Sequence, residues 1–202
     1  MRRLALGGTI GPLLFAVVVS LLALLRPEYS QISDFISELG ATDTANAALM
    51  NYVGFIPTGF LLAAFGIALA KFLPRDRLFM ATALLITLFG CGIAIAGLFS
   101  CDVGCPQASG SLENRIHDTI APPTFLCGII GIGLLGVRIR RYPAWQHLGL
   151  YSLLSSLVAL GCFIALVNSL DARQFTGLWQ RLMLFTLFLW CGVVGWRLWK
   201  TT

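Results

Sequence analysis

The sequence predicts an all-α polytopic membrane protein: a bundle of six transmembrane helices with a short amphipathic helix in its first outer loop. Three observations predict it. The chain is 57% hydrophobic and only 11% charged, where a soluble domain carries roughly 25% charge, so most of its surface faces lipid. Six stretches with at most one charge each approach the ~20 residues that cross a bilayer. Finally, the basic residues alternate in abundance from loop to loop, as they do when a chain weaves through a membrane.

The spans are expected over residues 4–25, 47–70, 78–100, 119–137, 148–170 and 175–196, within one domain covering 1–202. The first begins Met1-Arg2-Arg3 as a secretory signal does, but its end, Ala23-Leu24-Leu25-Arg26-Pro27, has no small-x-small cleavage site, so it is expected to remain a span. Ten of the fourteen Lys and Arg residues fall at the termini or in the second and fourth loops. Eight of the nine acidic residues fall in the other three loops. The resulting +9 on one side and −4 on the other account for the net +5. The positive side is expected to be the cytoplasm, with both termini there, in the cell membrane. No basic patch interleaved with aromatics points to nucleic acid.

The first outer loop, residues 26–46, is the longest. Tyr29, Ile32, Phe35, Ile36 and Leu39 recur in it at helical spacing, with Ser30, Ser33, Asp34, Ser37 and Glu38 between them. Gly40 follows as a helix stop. The pattern predicts an amphipathic helix on the membrane surface or folded over the bundle. Asp34 and Glu38, four apart, would repel on one helix face; a cation or an arginine such as Arg115 would relieve them, and so would simple exposure to water. Pro57, Pro122 and Pro123 mark expected kinks. Gly128, Gly131, Gly133 and Gly136 permit close helix approach in the fourth span. Gly131-Ile132-Gly133-Leu134-Leu135-Gly136 matches a dinucleotide fingerprint in letters only, since it lies inside a span with no strand before it. Trp145, Trp179, Trp196, Trp199 and Tyr142 suit a membrane-interface belt.

Cys101 and Cys105 share an outer loop, where the compartment permits a disulfide. Zinc would need two further ligands that no second Cys pair or His cluster supplies, so no metal or cofactor is expected. Ionisable groups near membrane spans are costly and tend to be functional. The outer loops gather Asp34 and Glu38, then Asp102, Glu113, Arg115, His117 and Asp118, then Asn168, Asp171, Arg173, Gln174, Gln180 and Arg181. Arg181 would snorkel or grip an anionic group. Asp118 would cap the fourth helix or orient His117 as an acid or base. Ser37, His117 and an acid could form a hydrolytic set, although no nucleophile-elbow motif accompanies the serine. The reading that absorbs most of these groups is binding or handling of a membrane lipid or other amphiphile at the outer leaflet, with Asp34, Glu38, Asp102, Arg115 and Arg181 as ligand-binding residues. The alternatives are a lipid hydrolase using His117, Asp118 and Ser37 or a metal, and a small transporter. No charged residue stands at a span midpoint, where coupled transporters place their sites.

Several motifs carry a family resemblance. They are Tyr29-Ser30, Ile36-Ser37-Glu38-Leu39-Gly40, Asn46-Ala47-Ala48-Leu49-Met50-Asn51, Phe99-Ser100-Cys101-Asp102-Val103-Gly104-Cys105, Ser111, His117 and Gly177-Leu178-Trp179-Gln180-Arg181-Leu182. Together they resemble the bacterial and archaeal membrane family known as domain of unknown function 998. The resemblance implies a six-helix topology over nearly the whole chain and carries no assigned activity.

Overall fold

A computed structural model describes residues 2–107, 109–142 and 145–201. Six helices in it are long and apolar enough to cross a membrane: α1 (Arg2–Leu24), α2 (Ala47–Phe72), α3 (Arg77–Leu98), α4 (Leu112–Ile139), α5 (His147–Asn168) and α6 (Thr176–Thr201). No strand occurs among the described residues. Each helix packs on its predecessor, and α6 returns against α1, so the six close into a ring. Helices suit this setting because they satisfy every backbone polar group within the segment. The ring is filled by large side chains. Trp190 is fully buried, meets Phe65 edge-on with centroids 6.2 Å apart, and donates its indole N–H to Ser152 Oγ at 2.8 Å.

The termini lie together, with Arg2 Nε donating to Trp199 O at 2.7 Å. At the same end Arg138 bonds Asp76 at 2.7 Å and holds that carboxyl below its ordinary range. Arg197 stacks on Trp145, 5.2 Å from the ring centroid. The belt of Trp and Tyr is thus also a row of cation–π partners.

The elements differ from the sequence expectation in three places. α4 starts seven residues before residue 119, because Ser111 caps it by accepting from Asn114 N at 3.1 Å and its first polar turns pack against the loops. In α2, Met50–Phe55 forms a π-turn immediately before Pro57. Proline has no N–H to donate and its ring clashes with the carbonyl four residues back, so the widened turn accommodates it, with Ile56 N bonded to Asn51 O. The helix of the first loop is only a five-residue 3-10 turn, Ile36–Gly40. Phe35 is extended, with φ −62° and ψ 150°, which ends any helix reaching back to Tyr29. The turn is folded into the bundle: Ile36 and Leu39 are 4% and 1% exposed.

Candidate functional site

The end of the bundle opposite the termini carries three loops that lock together. In the α1–α2 loop, Asp34 closes a turn by accepting from Ser30 N at 2.8 Å, and Tyr29 donates its hydroxyl to Phe35 O at 2.9 Å. This loop caps α6. Ser33 O accepts from Gly177 N at 3.3 Å and Ile32 O from Leu178 N at 2.9 Å, satisfying amides that a helix start leaves without partners. The approach is so close that a Cβ on Gly177 would lie 2.2 Å from Asp34 O. Farther along, Ile36 N donates to Gln180 Oε1 at 2.7 Å. Asn51, in the π-turn, donates to Gly40 O at 2.9 Å and to Ser100 Oγ at 2.8 Å, joining the loop to α2 and to the end of α3.

Glu38 reaches back to accept from Phe35 N at 3.0 Å and pairs with Arg173 of the α5–α6 loop. Arg173 also donates to Gly104 O at 3.1 Å and covers the Phe35 ring, 4.4 Å from its centroid. One guanidinium therefore fastens all three loops. Burial pushes the Glu38 carboxyl above its ordinary value; the Phe35 amide and Arg173 pull it down without cancelling that. A raised folded-state value means that the folded chain holds a proton the unfolded chain has already lost. Between the ordinary value, about 4.3, and the raised one, stability therefore falls as pH rises, and it levels off above. The unfolding temperature of the wild type should decline through that window more than that of Glu38→Gln, which keeps the acceptor but cannot ionise. Equal slopes in thermal unfolding series at stepped pH would refute this.

The α3–α4 loop is held by the Cys101–Cys105 disulfide, whose sulfurs lie against Ser37: Cys105 Sγ is 3.5 Å from its hydroxyl and Cys101 Sγ is 3.6 Å from its carbonyl. Asp102 accepts from Ser111 N and Ser111 Oγ, each at 2.7 Å, and these bonds hold its carboxyl below the ordinary range. Asn114 ties the loop to α4: its side chain donates to Pro106 O at 2.8 Å and Ser109 O at 2.7 Å and accepts from Asp102 N at 3.0 Å.

Two cavities flank the 3-10 turn. The larger, about 570 Å³, is a groove between α1 and α6. These helices touch near the termini through small residues: a Cβ on Gly195 would lie 2.6 Å from Ala5 O, and one on Gly8 would lie 2.7 Å from Cys191 O. Toward the loops the helices separate. Phe15 and Phe188 meet edge-on, 5.4 Å apart, and both line the groove with Ala16, Val19, Leu184 and Phe185. Its α6 wall runs from Arg181 to Trp196, about 22 Å at 1.5 Å per residue, against a hydrocarbon layer roughly 30 Å thick. Arg181 stands at its loop end. Its guanidinium donates to Asp34 O at 3.0 Å and to the Tyr29 hydroxyl. Burial pushes the Tyr29 phenol up to about 12, with Arg181 opposing, so Tyr29 remains neutral. Arg181 Nε is buried and has no hydrogen-bond partner among the described residues.

The smaller cavity, about 80 Å³, lies on the other side of the turn and is lined by Ser37, Cys105, His117, Asp118 and Gln180 above apolar residues of α4 and α5. His117 Nδ1 lies 2.8 Å from Phe99 O. A carbonyl only accepts, so Nδ1 carries the proton in this contact.

A family model described as protein of unknown function (DUF998) matches residues 9–197. The chain belongs to that family. No curated protein and no solved structure matches it.

In this DUF998 protein the polar residues singled out from sequence divide into separate groups. Ser37, His117 and Asp118 line one cavity, but no hydrogen bond joins Ser37 to His117 among the described residues, and the imidazole is oriented by a backbone carbonyl. Asp118 does not cap α4; Ser111 does, and Asp118 accepts from Asn114 one turn before it at 3.3 Å. Asp34 and Glu38 share no helix face, and the cation beside Glu38 is Arg173. Arg115 is exposed on the outer side of α4, where its carbonyl accepts from Thr119. Asp102 is committed to Ser111. Of the expected ligand-binding residues, Arg181 alone lines the groove. Tyr29 and Asn114 organise the site without having been singled out for it, although Tyr29 stands in a family motif; Arg173 and Gln180, gathered from sequence with the outer polar groups, had been given no role.

Proposed function

We propose that this membrane protein holds a long-chain lipid, with its chain along the α1–α6 groove and an anionic headgroup oxygen on Arg181. The observation that carries the reading is the place of Arg181, the one charged residue among the described residues that line this long apolar groove, at its loop end. A guanidinium offers donors in a fixed fork that suits phosphate or carboxylate, and in a water-poor site an unused N–H is costly. The bias of Lys and Arg toward the terminal end supports an outer position for the Arg181 end, so the lipid would belong to the outer leaflet of the cell membrane.

Gly192 offers a clean test, because it lines the groove and the nearest atom to an added Cβ is Gly8 O at 3.9 Å. Gly192→Leu would occupy the groove without forcing the backbone. Mass spectrometry of lipid retained after gentle extraction should show an acidic lipid on the wild type. Gly192→Leu should lose it at least fivefold with little change in unfolding temperature. Arg181→Lys, which keeps the charge but loses the fork, should lose it severalfold. If both variants retained the wild-type lipid in the wild-type amount, the bound material would be ordinary annular lipid and the proposal would fall.

A further inference from the structure

The cavity beneath the disulfide has a hydrogen-bonding pattern of its own. His117 is 7% exposed, and its Nδ1 is spent as a donor to Phe99 O, so Nε2 is the ring nitrogen left to accept. Gln180 Oε1 is spent on Ile36 N, so its amide nitrogen is left as a donor. The Ser37 hydroxyl has the Cys105 sulfur as its side-chain contact, a weak partner, and can serve in either role. No basic side chain lines the cavity, whereas Asp118 does, which disfavours an anion. An ammonium group, with donors only, would leave the Gln180 amide facing another donor. A hydroxyl both gives and accepts.

Gln107, whose amide nitrogen donates to Cys105 O at 3.5 Å, also lines the cavity; the rest of the lining is apolar, including Phe125, Phe163 and Leu166. Pro122 and Val167, on α4 and α5, line the cavity and are themselves exposed, so its mouth lies between those helices and faces the membrane. At about 80 Å³ the cavity has room for a small headgroup only. A longer chain must leave through that mouth.

We propose that this cavity binds the hydroxyl end of a neutral long-chain alcohol, with His117 Nε2 accepting from the hydroxyl and Gln180 donating to its oxygen. The site is separate from the Arg181 groove: Ile36 lines the groove and Gln180 the cavity, and the hydrogen bond between them is the wall.

The test uses the full chain in lipid nanodiscs with a long-chain fatty alcohol bearing an alkyl diazirine, followed by peptide mapping. Crosslinks are expected within 121–125 and 163–170. His117→Asn retains a side-chain N–H for Phe99 O but lacks the Nε2 acceptor, and should cut that labelling at least fivefold. Val167→Trp, at an exposed position, should block the mouth and do the same. Neither should change retention of acidic lipid, which Gly192→Leu removes. Labelling unaltered in both variants, or equal labelling by the matching hydroxyl-free or amine probe, would overturn the assignment, as would crosslinks confined to α1 and α6.

Discussion

Gly90→Leu is expected to abolish recovery of folded protein, and Gly90→Ala to lower the unfolding temperature sharply. α2 and α3 cross at Gly59 and Gly90 with backbone against backbone: a Cβ on Gly90 would lie 2.3 Å from Ala63 N, and one on Gly59 would lie 2.3 Å from Ala94 N. The atoms in the way belong to main chain, so no rotamer change relieves the overlap. Overpacking typically costs about 1–3 kcal/mol, and more where nothing can move; a leucine here exceeds that range because the two helices must separate. Without a hydrophobic force between helices in lipid, close packing of small residues supplies much of their association. Gly161 is the control. Nothing lies within 4 Å of its added Cβ, so Gly161→Ala should be neutral or stabilising by up to about 1 kcal/mol, the helix-propensity difference. Thermal unfolding followed by size-exclusion chromatography in detergent ranks the three. If Gly90→Leu melted like the wild type, the α2–α3 crossing would be wrong.

The same pair shows what was legible in advance. Residues 90–94 and 161–165 share a Gly-Cys-x-Ile-Ala pattern, yet one glycine is jammed and the other open. Composition tells that a helix spans; it does not tell which face meets a neighbour, because in lipid both faces are apolar. The six spans were readable because charge is so scarce within them. The start of α4 was not, because its first turns are polar and packed against loops, a setting that hydropathy reads as loop. The helical spacing from Tyr29 to Leu39 reflects two tight turns, with extended Phe35 between them, that bury Tyr29, Phe35, Ile36 and Leu39 but leave Ile32 53% exposed.

The functional end was less legible for a different reason. Sequence placed acidic and basic groups on one side of the membrane but could not pair them. Arg173 meets Glu38 across 135 residues, and the guanidinium offered to Glu38 from composition, Arg115, lies exposed instead. The α1–α6 groove has no local signature at all. It arises because Gly8 and Gly195 hold two distant helices together at one end while Phe15 and Phe188 hold them apart nearer the loops.

Asn114→Ala is expected to unfasten the α3–α4 loop and with it the His117 cavity. Asn114 is fully buried, and its amide group joins Pro106 O, Ser109 O and Asp102 N. Alanine leaves two carbonyls and one N–H without those partners. Ser109 is exposed and Pro106 and Asp102 are half-buried, so water takes up part of the loss, and the cost should be about 1–3 kcal/mol. Asn114→Asp separates the contributions. It keeps the acceptor for Asp102 N but turns a carboxylate toward two carbonyls, beside Asp102 and Asp118, and should therefore be worse than alanine despite its matching shape. Arg115 supplies the readout: it is exposed next to the anchor, so trypsin cleavage after it should quicken as the loop and the first turns of α4 fray. Cleavage should be fastest in Asn114→Asp, slower in Asn114→Ala and slowest in the wild type. Were Asn114→Asp to resist trypsin as well as the wild type, the anchor would act through its acceptor alone, and the two carbonyl bonds would contribute nothing to holding His117 in place.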